Sequence, residues 1–136
     1  MTSKLSIIYP AIDPRKYLGL AVRLALTQDS LSLRTAANSA YYSAFLFSRD
    51  KLAQKDYITP YYNYEDHKYV STALKTLLGA IGNDEYRLRM ARNKAVYDTR
   101  DLTIEQTHVR RLDWIIPTAA KIIKLVGSLP IRSKST

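Results

Sequence analysis

Cysteine is absent from this chain of 136 residues. Its absence excludes a disulfide framework, a thiolate zinc site and a cysteine nucleophile. Long apolar runs are absent too: none approaches the roughly 18 apolar residues of a membrane span, and the patch Ile7-Ile8 is too short for the core of a signal peptide. We therefore predict a cytoplasmic protein without a membrane segment, whose fold depends on packing alone.

Familiar catalytic patterns are missing as well. The sequence has no glycine-rich phosphate loop, no His-Glu-x-x-His and no Gly-x-Ser-x-Gly, and His67 and His108 are its only imidazoles. Glu65-Asp66-His67 is the one local group that resembles a metal site, but acidic residues at the start of a helix have the same appearance. We predict no metal and no cofactor.

Positive charge is abundant and unevenly distributed. The net charge is +9, with 8 Lys and Arg against 6 Asp and Glu in residues 1–66, and 13 against 6 in residues 67–136. A one-sided positive potential attracts polyanions, of which nucleic acid is the commonest. RNA is the polyanion that we predict as the partner, although a basic surface without an anionic ligand gives the same composition.

Apolar residues recur at helical spacing along most of the chain. Predicted helices cover about 14–27, 31–55, 66–78 and 84–98, and a fifth extends from the Thr103–Gln106 capping box to Val126, with a kink expected at Pro117. In the second, the inward stripe is Leu33, Ala37, Ala40, Tyr41, Ala44, Phe45 and Leu52. The prediction is an all-α antiparallel bundle of four to five helices in one domain, 1–136, with an ordered core at about 13–127 and loose ends.

Two features lie outside the apolar stripes. Arg34, Asn38, Tyr42 and Arg49 form a second stripe on the long helix, where they either meet a nucleotide or a partner or form a solvated flank. Residues 57–64 contain four tyrosines, whose rings either stack on bases or fold onto the domain surface.

Three patches of sequence resemble one known family. Leu33-Arg34-Thr35-Ala36-Ala37-Asn38-Ser39-Ala40-Tyr41-Tyr42-Ser43-Ala44-Phe45 is similar to the Leu-Arg-x-Ala-x-x-x-Ala-Tyr-Tyr-x-Ala-Phe signature of HEPN domains. His67-Lys68-x-Val70 resembles the start of that family's third helix, and Arg92-Asn93 stands where the family has Arg-Asn before its last motif. The resemblance extends over about residues 14–126 by helix order.

The resemblance implies a helical bundle that forms a two-fold homodimer. It also implies RNA cleavage or RNA binding, often in prokaryotic toxin–antitoxin or defence systems and beside a nucleotidyltransferase antitoxin. Nuclease members carry Arg, four to six residues, then His, in which Arg holds the phosphate and His moves the proton. Here Tyr97 takes the place of that His, as in the family branches that have Arg-Asn-x-Ala-Asp-Tyr.

Tyr97 is a poor replacement for a histidine base, because a tyrosine with an ordinary pKa near 10 is ionised only about one part in a thousand at pH 7. Five positions along a helix also turn through about 500°, which places Arg92 and Tyr97 about 140° apart. We therefore expect the pair to share a phosphate only through a kink after Ala95 or across a two-fold dimer.

Three hypotheses follow. One is a non-catalytic HEPN subunit that binds RNA or a partner protein through Arg89, Arg92, Lys94 and Arg100, together with Arg34 and Tyr42. Another is a metal-independent endoribonuclease in which Arg92 holds phosphate, Asn93 orients it, and Tyr97 or His67 transfers protons. The third is a helical scaffold with no role in nucleic-acid binding.

Overall fold

A computed structural model describes residues 9–100 and 112–133, which form a bundle of five α-helices without a β-strand. The helices are α1 (Lys16–Ala25), α2 (Ser30–Gln54), α3 (Asp66–Leu78), α4 (Ala80–Tyr97) and α5 (Leu112–Gly127). The predicted all-α class is confirmed. Thr103, Ile104, Gln106 and His108, which the sequence assigned to the start of the last helix, lie outside the described residues. None of the described helices is long and apolar enough to cross a membrane.

Helix α2 is the central element and packs against the other four helices. It begins after Asp29, whose carboxylate accepts a hydrogen bond from the backbone N–H of Ser32 at 2.9 Å and so caps the helix. Its predicted inward stripe is buried throughout, and the second stripe at Arg34, Asn38, Tyr42 and Arg49 is half-buried. The small residues of α2 allow the neighbouring helices to approach closely.

The junction between α3 and α4 is a single residue, Gly79, with a φ of +58°. The fourth helix was predicted from the sequence to begin at about residue 84, since Asn83-Asp84-Glu85 has the composition of a helix cap. This was wrong, because the helix begins at Ala80 and Glu85 is buried in the core. Gly82 therefore lies inside α4, at the point of close approach to Lys75 of α3.

Substituting Gly82 with alanine should lower the free energy of unfolding by about 1–3 kcal/mol, even though alanine favours helix. A Cβ at this position would lie 2.7 Å from the backbone nitrogen and 2.8 Å from the Cα of Lys75, so the two helices would have to separate. Gly19→Ala in α1 is the matched control, because its Cβ would meet only Arg23 Nη1, at 3.6 Å, and we expect it to stabilise by up to about 1 kcal/mol. Urea denaturation of both variants measures the difference, and equal shifts in one direction would contradict the proposed close approach.

The residues after Gly127, predicted from sequence to be loose, are held against the end of α2. Lys55 Nζ donates hydrogen bonds to the carbonyls of Val126, Gly127 and Leu129, at and just after the end of α5. The Tyr57 hydroxyl donates to the Pro130 carbonyl at 2.8 Å, and the backbone N–H of Arg132 donates to the Lys55 carbonyl at 2.8 Å. One lysine thus supplies the cap that the sequence did not indicate.

Candidate nucleic-acid interface

Arg92 lies near the end of α4 with only 7% of its surface exposed. Its guanidinium carbon is 5.1 Å from the ring centres of both Tyr41 and Tyr42 on α2, and 5.9 Å from the ring centre of Tyr97. A guanidinium within about 6 Å of a ring face is attracted by the ring quadrupole. Three tyrosine rings therefore hold this cation, which forms none of the ion pairs among the described residues.

Arg92 and Tyr97 approach each other within one protomer although they are separated by about 140° around the helix axis. Helix α4 runs to Tyr97, and the long Arg92 side chain still reaches the Tyr97 ring within the same protomer. Counting residues gives the direction in which each Cβ leaves the helix, whereas the reach of an arginine and the width of a tyrosine ring close the remaining gap. A dimer is not required to bring the pair together.

His67, at the start of α3, contacts two of the tyrosine rings that surround Arg92, those of Tyr41 and Tyr42. Its Nδ1 shares a hydrogen bond of 2.5 Å with the Tyr41 hydroxyl, and its ring stacks on Phe45 with centroids 4.1 Å apart. Burial first, and then the positive charges of Arg89 and Arg92, lower the pKa of His67 to about 4. The imidazole is therefore neutral at pH 7 and is able to accept a proton.

Glu85 lies beside these side chains and was not among the site residues predicted from the sequence. It is fully buried, and neither carboxylate oxygen has a hydrogen-bond partner of normal geometry among the described residues, although the Tyr41 and Ser71 hydroxyls lie beside it. Burial raises the pKa of Glu85 to about 7, against the opposing charge of Arg89. Glu85 precedes Arg89 by four positions and Arg92 by seven, a spacing that places all three side chains on one face of α4.

Arg89 is half-buried, and its Nε, like that of Arg92, is buried without a hydrogen-bond acceptor. Both guanidinium groups act on His67 and on Tyr41, so they face the same side of the bundle. Buried donors without acceptors are rare in folded proteins, and a bound anion is one of the groups that can supply the missing acceptor. We refer to Tyr41, Tyr42, His67, Glu85, Arg89 and Arg92 as the central cluster.

The remaining cations predicted for the RNA face have partners within the protein. Asp98 accepts hydrogen bonds from Lys94 at 2.8 Å and from Arg100 at 2.7 Å, and Arg100 first, then Lys94, holds the pKa of Asp98 well below its usual range. Lys94 and Arg100 nevertheless line a surface groove of about 710 Å³ with Asn93 and Tyr97. The structure therefore brings four predicted residues, Asn93, Lys94, Tyr97 and Arg100, to one groove. Four others belong to the central cluster: Tyr42, His67, Arg89 and Arg92.

Arg34 is the exception, because its guanidinium closes the end of α4. Its Nη1 donates to the carbonyls of Ala95, at 3.0 Å, and Asp98, and its Nη2 donates to the carbonyl of Arg100 at 2.9 Å. Carbonyls at the end of a helix lack intrahelical donors, and a cation there is stabilised by the helix dipole. Arg34 thus fixes the last turn of α4, and its guanidinium is occupied by these carbonyls and not offered to RNA.

The part of the chain that the structure describes contains no group of three His, Asp or Glu residues placed to hold a metal ion. Asp66, one of the residues considered for a metal, is 1% exposed and accepts the backbone N–H groups of Tyr61 at 2.9 Å and Tyr62 at 2.8 Å. Its carboxylate therefore holds the backbone of residues 57–64, which we call the tyrosine loop.

Comparison with family models, with curated proteins and with solved structures gave no match for this chain. The case for a function therefore rests on the central cluster, on the adjoining groove and on the sequence resemblance.

Proposed function

We propose that this chain binds single-stranded RNA as a non-catalytic HEPN-type subunit, in which Arg92 and Arg89 contact the phosphate backbone. The observation that carries the proposal is the state of Arg92, a nearly buried cation with an unpaired Nε and no carboxylate partner among the described residues. Burying a charge without a paired group costs free energy, and a phosphate oxygen would supply both the opposite charge and the acceptor.

The surroundings of Arg92 favour RNA over a small anion. The Tyr97 ring is 73% exposed and lies next to the guanidinium, so it offers a stacking face for a base beside the phosphate contact. The groove with Asn93 and Lys94 adjoins it and extends the path of a strand. Residues 67–136, which include α4, contribute most of the net positive charge, and a positive potential attracts a polyanion.

The salt dependence of binding tests the proposal. Fluorescence anisotropy with a labelled single-stranded oligoribonucleotide should show affinity falling steeply between 50 and 200 mM salt, because each neutralised phosphate of a single strand contributes a slope of about −0.7 in the log–log plot. Two or more phosphate contacts give a slope of about −1.4 or steeper. A flat response, or equal affinity for a duplex of the same length, would contradict single-strand binding at this face.

His67 favours a second candidate, a metal-independent endoribonuclease. It contacts the same two tyrosine rings as Arg92, with centroids at 5.8 Å from Tyr41 and 6.3 Å from Tyr42. A phosphate bound at Arg89 and Arg92 would offset their positive charges and raise the pKa of His67 from about 4, making it a stronger base where the reaction occurs. Incubating RNA with the protein in EDTA tests this candidate: cleavage that is lost in His67→Asn supports it, and intact RNA at high protein concentration removes it.

The family resemblance adds two further parts to the proposal, a two-fold homodimer and a nucleotidyltransferase antitoxin as partner in a prokaryotic defence or toxin–antitoxin system. Met90, Val96 and Tyr97 expose 40%, 41% and 73% of their surfaces around the end of α4, which gives a dimer or a partner protein apolar contact area. The exposed Tyr97 hydroxyl is also accessible to a modifying partner. Light scattering in solution distinguishes a dimer from a chain of 15.5 kDa.

A further inference from the structure

A second cavity lies on the other side of Arg89. It has a volume of about 390 Å³ and is lined by Tyr64, Glu65, Lys68, Tyr69 and Arg89; we call it the Tyr64 pocket. Tyr64 is 79% exposed and Tyr69 is 40% exposed, so both rings are accessible to a ligand. Of its lining residues, the proposed function uses only Arg89.

The wall formed by the tyrosine loop is rigidly held. The buried Asp66 carboxylate accepts the backbone N–H groups of Tyr61 and Tyr62, and the Asn63 side chain accepts the N–H of Glu65 at 2.9 Å. Tyr62 has a φ of +59°, a left-handed conformation that is uncommon for a residue other than glycine and that these hydrogen bonds maintain. A site held in this way loses little conformational entropy when a ligand binds.

The lining residues combine the three chemical groups that bind a nucleotide. Tyr64 and Tyr69 present aromatic faces for a base, Lys68 and Arg89 present cations for a phosphate, and the Glu65 carboxylate can accept a hydrogen bond from an exocyclic amine. Arg89 also has a buried Nε without an acceptor. Neither Lys68 nor Arg89 forms an ion pair among residues 9–100 and 112–133.

Arg89 connects this pocket to the central cluster. It is three positions before Arg92 on the same side of α4, lines the Tyr64 pocket, and acts on His67 together with Arg92. A strand whose phosphate lies at Arg92 would therefore reach the pocket through Arg89.

We propose that the Tyr64 pocket is a second subsite for single-stranded RNA, which stacks one base on Tyr64 and Tyr69 while Lys68 and Arg89 hold the adjoining phosphate. This inference rests on the proposed RNA binding at Arg92. It goes beyond that proposal by placing the course of the strand, from the end of α4 across Arg89 to the start of α3.

The test uses a decamer of single-stranded RNA that carries 2-aminopurine, whose fluorescence is quenched when the base stacks. Tyr64→Ala should weaken decamer binding about tenfold and reduce the protein-induced quenching, because one stacking ring is lost while those of Tyr69 and Tyr97 remain. Tyr64→Phe, which keeps the ring, should stay within about twofold of the unsubstituted protein. Tyr86→Ala is the matched control, since Tyr86 is 49% exposed on α4 outside the pocket and should leave both readouts unchanged.

Free AMP and the variants of Arg92 and Tyr64 separate the possible failures. Decamer binding that needs Arg92 but is unchanged in Tyr64→Ala would overturn the subsite and leave the proposed function intact. AMP binding that needs Tyr64, in a protein that binds no decamer, would also overturn it, because the pocket would then serve a free nucleotide.

Discussion

Substituting Arg92 with glutamine is expected to weaken the binding of single-stranded RNA at least tenfold and to reduce the salt slope by about 0.7. A hydrogen bond to a charged group contributes about 1.5–3 kcal/mol, and the neutralised phosphate contributes its own counterion release. Glutamine keeps a polar side chain of moderate length against Tyr41 and Tyr42 but removes the charge. Anisotropy titrations at several salt concentrations, with thermal melting as a check on folding, measure both quantities.

Arg87 provides the matched control for Arg92. It lies on the same helix, has the same charge and is exposed, and it forms none of the described ion pairs and lines none of the described cavities. Arg87→Gln lowers the net charge equally, so it should change affinity by only about twofold through the long-range field. Equal losses in Arg87→Gln and Arg92→Gln would mean that RNA senses only the overall charge, and the site at Arg92 would have to be abandoned.

Substituting Glu85 with glutamine should raise the free energy of unfolding by about 3 kcal/mol at pH 8 and leave it nearly unchanged at pH 4.5. In the unfolded chain Glu85 loses its proton near the ordinary value of 4.5, whereas burial keeps the pKa of the folded protein at about 7. Between these values the folded state holds a proton that the unfolded state has released, so stability falls as the pH rises and the full cost is present above pH 7. Denaturant titrations at both pH values measure the effect.

His67 opposes this trend. Its pKa is 6.5 in the unfolded chain and about 4 in the fold, so between these values the unfolded state holds more protons and stability rises with pH. The contributions of His67 and Glu85 therefore oppose each other between about pH 4.5 and 6.5, with that of His67 reduced by solvent because the ring is partly exposed.

Glu65→Gln is the control for Glu85→Gln, because Glu65 is exposed. The Glu65 variant should keep the pH profile of the unsubstituted protein, whereas the profile of Glu85→Gln should turn upward with pH through this range. A Glu85 variant that is less stable than the unsubstituted protein at pH 8 would show that the carboxylate has a partner that offsets its burial.

Sequence periodicity predicted most of the fold because the apolar stripes are long and regular. The stripe from Leu33 to Leu52 identifies α2 and its buried face. The start of α4 was misplaced because Gly82 has the appearance of a stop and Asn83-Asp84-Glu85 has the appearance of a cap. A glycine required for close contact between helices has the same letter as a glycine that ends one, and only the position of Lys75 distinguishes them.

The cations of the candidate site were among the residues predicted from the sequence, but its buried carboxylate, that of Glu85, was missed. Arg89, Arg92, Tyr42 and His67 were chosen from sequence and lie together in the structure. Glu85 was missed because a glutamate after Asn-Asp suggests an exposed first turn. Its spacing of four and seven positions from Arg89 and Arg92 was the available signal, and recognising it would have required the correct start of α4.

The hydrogen bonds from Arg34 to the last turn of α4 have a consequence for how events at one end of the bundle are transmitted. Arg34 belongs to the first turns of α2, yet it holds carbonyls on both sides of Tyr97. A partner that displaces the segment carrying Tyr97 must break these hydrogen bonds and release the Arg34 side chain at the beginning of α2. A partner that binds and moves the beginning of α2 would in turn shift the segment carrying Tyr97. The two segments therefore behave as one mechanical unit, and amide hydrogen exchange in α2 would report the docking of a molecule that contacts only the end of α4.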